Sequence, residues 1–240
     1  MNQKTSERTI QLVGEENYKL IQEKKISLIG LGGVGGTCFE ALIRSGFKNI
    51  TICDYDIVNF SNLNRQILYT LEDINKLKVD VCMNKSLKFC EDSNELNINK
   101  ENLKIDSKTN LDFLKDSDYV IDAIDNLAGK INIITYCLKN NIKVISCLGM
   151  GNRLDPSKVL ITKLSKTSND PLAKKLRSIL RKINVNLNKI LVCFSNELPV
   201  KNKLNIVSSM VFVPSSAGLN IVSYIVKDII SSEVSNYEEN

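Results

Sequence analysis

Histidine is absent from the 240-residue chain, and this absence excludes a whole group of mechanisms. Imidazole is the side chain most often used as a general base and as the partner of a serine or cysteine nucleophile. It is also a common metal ligand. The chain therefore does not belong to the enzyme classes that depend on imidazole.

Long apolar runs are missing as well. Residues 1–8 are polar and contain no apolar signal core. No run approaches the ~18 apolar residues of a membrane span, because polar and charged residues interrupt the best candidate, 219–230. We therefore expect a cytoplasmic protein that does not enter a membrane.

Paired cysteines are also absent. The seven cysteines are scattered, without any Cys-x-x-Cys pair. This pattern predicts reduced thiols and argues against a structural zinc site of the cysteine type. Cys193 lies in an apolar run, where a cysteine usually acts as a small buried hydrophobic residue.

Positive charge is unevenly distributed along the chain. The net charge is +5, but residues 151–205 contain 12 basic and 3 acidic residues, a net +9, so the rest of the chain carries −4. Such segregation favours a polyanionic partner for the C-terminal part. A solvated lysine-rich surface is the alternative interpretation.

Short apolar runs alternate with helical patterns between residues 25 and 150. Each run stops before glycine or aspartate, as buried strands of a parallel sheet do. The predicted strands are 26–29, 49–53, 119–124 and 143–148. The predicted helices are 37–45, 77–89 and 127–138. This alternation is typical of an α/β fold, a Rossmann-like and mostly parallel sheet with helices on both faces.

The second half of the chain shows a different pattern. Asp170 and Pro171 are typical of a helix N-terminus. Apolar residues then recur at helical spacing, with basic residues on the other face. A strand is predicted at 206–213 and a final helix at 217–230.

These patterns predict a single domain, 1–240. Residues 25–150 would form its Rossmann-like core, and 151–230 a basic C-terminal extension on the same domain that ends in a strand and a helix. The predicted loops are 94–110 and 184–189.

A glycine-rich turn follows the first predicted strand. Its glycines, which let the backbone approach a phosphate at a helix N-terminus, are Gly30, Gly32, Gly33 and Gly35. Asp54 ends the next strand, where a carboxylate can accept hydrogen bonds from both ribose hydroxyls. These residues predict a nucleotide site without distinguishing ATP from NAD or FAD.

Two cations and two acids favour ATP. Arg65 offers a bidentate fork and Lys78 a point charge, which suit a triphosphate and have no role with a dinucleotide. Asp122 lies in the third predicted strand and Asp125 directly follows it, and one carboxylate with waters can bind Mg²⁺. The carboxyl ends of parallel strands share one edge, so we expect these groups to face the glycine turn.

Together these motifs resemble the adenylation domain of ubiquitin-activating-type enzymes. That superfamily includes bacterial activators of small sulfur-carrier proteins. The segments that carry the resemblance are 30–35, 54–56, 62–66, Lys78 and 122–126.

The resemblance implies ATP and Mg²⁺ as cofactors and a role for each motif residue. The residues implied in ATP binding are Gly30, Gly32, Gly33, Gly35, Asp54, Asp56, Asn62, Arg65, Gln66 and Lys78. The residues implied in catalysis are Arg65, Lys78, Asp125 and Arg8. Asp125 would bind the magnesium ion, and Arg8 would reach the site of the other subunit in a homodimer.

Three C-terminal segments resemble one branch of this superfamily, the tRNA threonylcarbamoyladenosine dehydratases. They are 149–156, 165–173 and 212–218. Two residues depart from the pattern of that branch. Gly36 replaces a serine of similar size, and Lys163 replaces an aspartate, which alters the basic face.

The resemblance to the dehydratases implies a reaction and a tRNA partner. The carboxylate of a threonylcarbamoyl group, on an adenosine next to the anticodon, would attack ATP. The neighbouring carbamoyl group would then displace AMP and close a ring. Basic side chains would hold the tRNA phosphates. They are Arg153, Lys166, Lys174, Lys175, Arg177, Arg181 and Lys182.

Three alternatives stay open. The same site can adenylate the C-terminus of a ubiquitin-like or sulfur-carrier protein, although the paired zinc cysteines common in those relatives are missing. An NAD-dependent oxidoreductase fits the glycines and Asp54 but leaves Arg65, Lys78 and Asp125 without a role. A non-catalytic, nucleotide-dependent tRNA-binding module is the third alternative. The sequence also leaves open a cysteine desulfurase or sulfur acceptor as a partner.

Overall fold

The computed structural model describes residues 5–89, 96–201 and 207–238, with side chains to residue 231. The strands are β1 (Lys25–Ile29), β2 (Asn49–Cys53), β3 (Asn97–Glu101), β4 (Tyr119–Asp122), β5 (Lys143–Cys147), β6 (Val159–Lys163) and β7 (Leu191–Ser195). The α-helices are α1 (Glu7–Val13), α2 (Glu15–Glu23), α3 (Gly33–Arg44), α4 (Lys78–Ser86), α5 (Leu127–Lys139), α6 (Pro171–Lys182) and α7 (Phe212–Glu238).

All seven strands belong to one sheet with the order β3-β2-β1-β4-β5-β7-β6. Every neighbouring pair is parallel except β6 and β7, which are antiparallel. Ile29 at the end of β1 is level with Cys53 of β2 and Asp122 of β4. The predicted Rossmann-like, mostly parallel α/β fold is therefore confirmed, and the carboxyl ends of its central strands lie together.

The four predicted strands of the core are present, with ends that shift by at most two residues. Two further strands, β6 and β7, were not predicted from the sequence and extend the same sheet. Strand β3 lies inside the predicted loop 94–110, of which residues 94 and 95 are outside the described part.

The predicted strand at 206–213 is wrong. Residue 206 is outside the described residues, and residues 207–210 have no regular secondary structure. Their backbone bonds to loops instead, because Ser208 O accepts from Asn152 N at 2.6 Å and Ser209 O accepts from the Asn64 amide at 2.9 Å. The final helix begins at Phe212, earlier than predicted.

Helix α7 packs closely against α3. A Cβ at Gly218 would lie 2.7 Å from Val34 O and 2.8 Å from Thr37 Cβ, so only glycine fits at this crossing. The Cys38 thiol also donates to Gly218 O at 3.5 Å. The contact fixes α3, and with it the glycine-rich turn that precedes α3.

Helix α6 begins as the sequence predicts. The Asp170 carboxylate caps it by accepting from Ala173 N at 2.9 Å. Leu176 and Leu180 are buried in a cluster that includes Ile134 of α5, and the basic residues face outward. Of the helices in the described part of the chain, none combines the length and the apolar composition that a membrane crossing needs.

Candidate functional site

A cavity of about 780 Å³ opens at the carboxyl ends of β1, β2, β4 and β5. Its lining includes Gly30 after β1, Asp54 after β2, Asp125 after β4 and Gly149 after β5. The structure therefore brings together side chains that are far apart in the sequence. This is the edge at which ligands of open α/β sheets bind.

The glycine turn is shaped by backbone contacts. Gly30 has φ +90°, which favours glycine, and a Cβ there would lie 2.8 Å from the carbonyl carbon of Ala123. A Cβ at Gly35 would overlap the carbonyl oxygen of Gly30. These two glycines are therefore required by the fold, whatever the site binds.

The start of α3 presents unsatisfied donors to the cavity. Gly32 caps the helix without a side-chain hydrogen bond, so the first-turn N–H groups are available to an anion. A Cβ at Gly32 would meet only Gln66 Nε2, at 3.9 Å. Gln66 is 4% exposed, and its Oε1 has no hydrogen-bond partner among the described residues. An open surface and an unpaired buried amide fit a ligand at this position.

Asp54 joins the glycine turn to the chain that follows β2. Its carboxylate accepts from Leu31 N at 2.6 Å and from Asp56 N at 2.9 Å. Burial raises the pKa of Asp54 above its ordinary value, and the nearby Lys78 charge opposes that rise. The carboxylate is thus held in a fixed orientation at the cavity wall.

Lys78 is a buried cation at the start of α4. Its side chain is 5% exposed and its Nζ lies 2.9 Å from Asp56 Oδ2, whose side chain is 46% exposed. Both residues line the cavity. Water screens a buried charge less than an exposed one, so Lys78 acts strongly on an anion bound there.

Arg65 and Asn62 lie on the loop between β2 and α4, and both line the cavity. Arg65 Nη1 donates to Ser61 O at 2.7 Å and to Asn64 Oδ1 at 3.0 Å. Asn62 Oδ1 accepts from Asn59 N at 3.0 Å. Part of each side chain therefore holds the loop, and the half-buried guanidinium keeps further donors for a phosphate.

A fully buried ion pair, which was not predicted from the sequence, lies behind the cavity. Lys130 Nζ of α5 lies 3.0 Å from Asp122 Oδ1 and 3.1 Å from Oδ2, and both side chains are 0% exposed. Ser146 Oγ donates to Asp122 at 2.5 Å, and Lys130 donates to Cys147 O at 2.5 Å. The one sequence signal is that Lys130 falls within an apolar helix.

This ion pair separates the role of Asp122, the last residue of β4, from that of Asp125, which follows the strand. The Asp122 carboxylate is satisfied by Lys130 and Ser146, whereas Asp125 is exposed and lines the cavity. Asp125 is therefore the acid of this pair that is accessible to a ligand or ion.

Arg153, expected on the tRNA-binding face, is placed elsewhere by the structure. It is 3% exposed, and its guanidinium donates to the backbone oxygens of Gly149 and Asn169 at 3.2 Å each and to Glu197 O. With these donors used inside the protein, Arg153 orders the wall of the cavity. It does not belong to the exposed basic surface.

The other expected tRNA-binding residues lie on or beside α6. Lys166, Lys174, Lys175, Arg181 and Lys182 are exposed. Arg177 is half-buried and donates to Thr167 O at 3.0 Å. Arg8 lies exposed on α1 and is not among the residues that line the cavity of its own chain.

The described cysteines are free and buried. Contact with the Cys147 thiol, together with burial, raises the pKa of Cys193 well above its ordinary value. Such a thiol is a poor nucleophile. This placement matches the expectation that Cys193 is a small buried hydrophobic residue.

The glycine turn, the ordered Asp54 and the buried Lys78 define a nucleotide-binding α/β domain equipped for a polyphosphate. The model of the ThiF family matches residues 6–213, and the chain belongs to that family. The family expected from the sequence motifs is thus confirmed.

Curated relatives and solved structures support a narrower similarity. The chain is 32% identical over 236 residues to the tRNA threonylcarbamoyladenosine dehydratase of Bacillus subtilis strain 168, and the match covers 91% of each protein. The Escherichia coli tRNA N6-threonylcarbamoyladenosine dehydratase crystallised with AMP is 29% identical, with a TM-score of 0.88, and the match covers 95% of this chain and 94% of that enzyme's chain. The same enzyme crystallised with ATP has a TM-score of 0.87, with the same identity and coverage.

The two glycines Gly32 and Gly30 give a matched pair of variants. Gly32→Ala should fold normally, because its φ of −75° suits alanine, but its methyl group should occupy the phosphate space and weaken ATP binding at least about tenfold. Gly30→Ala should instead lower the free energy of unfolding by about 2 kcal/mol, through its positive φ and overlap with Ala123. Calorimetry with ATP and thermal unfolding measure the two effects. Wild-type ATP affinity in Gly32→Ala would contradict this placement of the phosphates.

Proposed function

We propose that the chain catalyses the ATP-dependent dehydration and cyclisation of N6-threonylcarbamoyladenosine in tRNA, next to the anticodon. The observation that carries the proposal is one cavity that holds both an uncapped helix N-terminus and the buried cation Lys78. That pairing suits a triphosphate whose leaving group must be held. The similarity to the dehydratases, which extends over most of the chain, indicates which acid is activated.

The first step forms a mixed anhydride. A carboxylate oxygen of the threonylcarbamoyl group attacks the α-phosphorus of ATP, and the bond to the bridging oxygen breaks with release of pyrophosphate. Negative charge builds up on that leaving group. Lys78, Arg65 and the α3 N–H groups would stabilise it, and such preorganised donors are the largest single contribution to catalysis in many enzymes.

The second step needs no protein nucleophile. The neighbouring carbamoyl group attacks the activated carbonyl carbon and loses one proton to solvent, and AMP leaves with the former carboxylate oxygen. The oxygen of the water lost on ring closure therefore ends on AMP. Because both groups belong to the same side chain, proximity supplies much of the rate. The absence of histidine and the burial of the described cysteines are consistent with this route.

The nucleotide would be oriented by the residues that form the cavity. Asp54 would accept hydrogen bonds from the ribose hydroxyls. The buried Gln66 Oε1, which has no partner among the described residues, would accept a hydrogen bond from the nucleotide. Asp125, exposed at the end of β4, fits a magnesium ion held through one carboxylate and waters. When bound, Mg²⁺ would neutralise phosphate charge.

A homodimer would explain the position of Arg8. Its side chain is exposed on α1 and does not line the cavity of its own chain, so we propose that it reaches the site of the other subunit. In a two-fold dimer the contact is reciprocal, and both sites gain an arginine.

Mixing two inactive variants tests this arrangement. Arg8→Ala and Lys78→Met should each be inactive, but subunit exchange should restore about a quarter of wild-type activity, because each mixed dimer contains one complete site. AMP formation before and after exchange is the measurement. If mixing restored nothing while the two variants exchanged subunits normally, Arg8 would act within its own chain or not at all.

The exposed basic face of α6 would hold tRNA phosphates. Removing three charges by Lys174→Ala, Lys175→Ala and Lys182→Ala should weaken tRNA binding and lower the slope of log affinity against log salt by roughly 2, since each phosphate contact contributes about 0.7–0.9. ATP affinity should not change. Ser178→Ala, on the same exposed face but uncharged, is the control. An unchanged slope would remove α6 from the tRNA interface.

The direct test of the proposed function follows AMP and the modified base together. With Mg²⁺, ATP and tRNA that carries threonylcarbamoyladenosine, the protein should release one AMP and one pyrophosphate for each base that it cyclises. Mass spectrometry of the tRNA nucleosides would detect the cyclised base. Stimulation by a small protein with a Gly-Gly tail instead of tRNA would identify a protein activator. Binding of NAD without binding of ATP would identify an oxidoreductase.

A further inference from the structure

A second cavity, of about 750 Å³, lies at the opposite edge of the sheet. It opens at the start of β5 and β7 and at the end of the antiparallel β6, and the loop 184–189 and α7 complete its wall. It is remote from the glycine turn, and the reaction described above uses none of its residues. We call it the lysine cleft, after the four lysines that line it: Lys139, Lys143, Lys163 and Lys189.

The lysine cleft is strongly cationic. Asp228 is its one acidic lining residue, and it is matched by Lys143, whose Nζ lies 2.7 Å from Asp228 Oδ2. Tyr119 also donates to this carboxylate, at 2.6 Å. The charges of both Lys143 and Lys163 act on Asp228 and help to lower the pKa of its carboxyl. The cleft therefore has four lysines against one acidic residue in its lining, a net charge of +3.

Helix α6 connects the two cavities. Leu172, in its first turn, lines the nucleotide cavity, and Asn184, just after its last turn, lines the lysine cleft. The 12 residues of α6 span about 18 Å at 1.5 Å per residue. Its exposed face carries Lys174, Lys175, Arg181 and Lys182 over this distance. Positive charge thus continues from one edge of the sheet to the other.

We propose that the lysine cleft binds the phosphate backbone of the tRNA stem whose modified adenosine reacts in the nucleotide cavity. This inference rests on the proposed function and adds a second anchoring point to it. A nucleic-acid duplex carries about one charge per 1.7 Å of axis, so a stem lying along α6 presents many phosphates on its way to the cleft. A free small polyanion would not need the row of basic residues on α6 that links the two cavities.

The polar lining of the cleft suits backbone recognition. Besides the lysines it contains the amides of Asn141, Asn184 and Asn186, and such groups donate to phosphate and sugar oxygens without reading bases. The phenol of Tyr119 is already bonded to Asp228. The cleft should therefore contribute affinity and orientation, with little preference for sequence.

Charge reversal in the cleft tests the inference. The double variant Lys163→Glu/Lys189→Glu should bind tRNA at least about tenfold more weakly than wild type, with a salt slope lower by roughly 1.5–2. The rate of AMP formation at saturating tRNA and ATP should stay within about twofold, because the nucleotide cavity is intact. Filter binding over a salt series and initial-rate kinetics give these values.

A matched control separates local from overall charge. Lys88→Glu/Lys108→Glu makes the same change at two exposed lysines outside the cleft and outside α6, and it should leave tRNA affinity within about threefold. Both double variants should have the melting temperature of the wild type, which shows that a loss of tRNA affinity does not come from unfolding. A third variant, Lys163→Gln/Lys189→Gln, removes charge without adding acid, and it should lose an intermediate amount of affinity.

The possible failures are distinguishable. If wild type forms AMP with the modified tRNA but Lys163→Glu/Lys189→Glu binds that tRNA as wild type does, the inference is wrong and the proposed function stands. If wild type forms no AMP with the tRNA, the proposed function itself fails. Loss of tripolyphosphate binding in the double variant, with tRNA affinity unchanged, would make the cleft a site for small polyanions and also overturn the inference.

Discussion

Lys78→Met should lower the rate of AMP formation by roughly 10²–10³-fold at saturating ATP and tRNA, which is the size of effect expected when one preorganised charged donor is lost. The Lys78 side chain is 5% exposed and lines the same cavity as the glycine turn, so solvent screens its charge from a bound phosphate less than it screens an exposed lysine. Methionine keeps most of the volume of the lysine stem. Pyrophosphate release in the presence of modified tRNA is the measurement.

The control for Lys78 lies two residues away. Lys76 is exposed, so Lys76→Met removes the same charge from the surface and should leave the rate within about twofold. The melting temperature of both variants should stay close to that of wild type. A well-folded Lys78→Met protein that forms AMP at nearly the wild-type rate would show that this lysine does not stabilise the leaving group.

Lys130→Met should lower the free energy of unfolding by about 3–5 kcal/mol, because it leaves Asp122 as a buried carboxylate without its counter-ion. It also removes the donor to Cys147 O, at a point where β5 reaches the cavity. For a protein of this size the melting temperature should fall by roughly 6–20 °C. Thermal or urea unfolding measures the change.

A second substitution tests whether the charge is the cause. Asp122→Asn/Lys130→Met removes both members of the pair, so it should be more stable than the sum of the single losses predicts, with a coupling of at least about 1 kcal/mol. Strict additivity would mean that packing, and not the ion pair, accounts for the cost of Lys130→Met.

The central part of the fold could be predicted because its strands are recognisable one at a time. β1, β2, β4 and β5 are short apolar runs that end at glycine or aspartate, as strands buried on both faces do. β3 is different, because Asn97, Asn99 and Lys100 are exposed on an edge strand and its sequence resembles a loop. The apolar run at 206–213 misled for the opposite reason. Within the described part of that run, Val207 lines the nucleotide cavity, and Phe212 and Val213 begin α7 instead of joining a sheet.

The candidate site could be predicted as a set of residue types at strand ends, but not as a set of partners. Lys78 and Asp56 are 22 residues apart, and nothing in the sequence pairs them. Lys130 and Asp122 are close in sequence, but only the packed helix shows that both are buried. Arg153 shows the same limit, because in a segment rich in basic residues the sequence does not reveal which one points inward.

The contact between α7 and α3 has a consequence for the order of events during synthesis. Pro214 Cβ lies 3.1 Å from where a Cβ of Gly33 would be, and Gly218 fits against Val34, so residues some 180 positions later complete the back of the phosphate turn. A nascent chain that has emerged only to β7 has every motif that we propose to contact ATP, but not the support that holds these motifs in place. Nucleotide affinity should therefore develop only after translation has passed α7, and ATP binding would report that folding is complete.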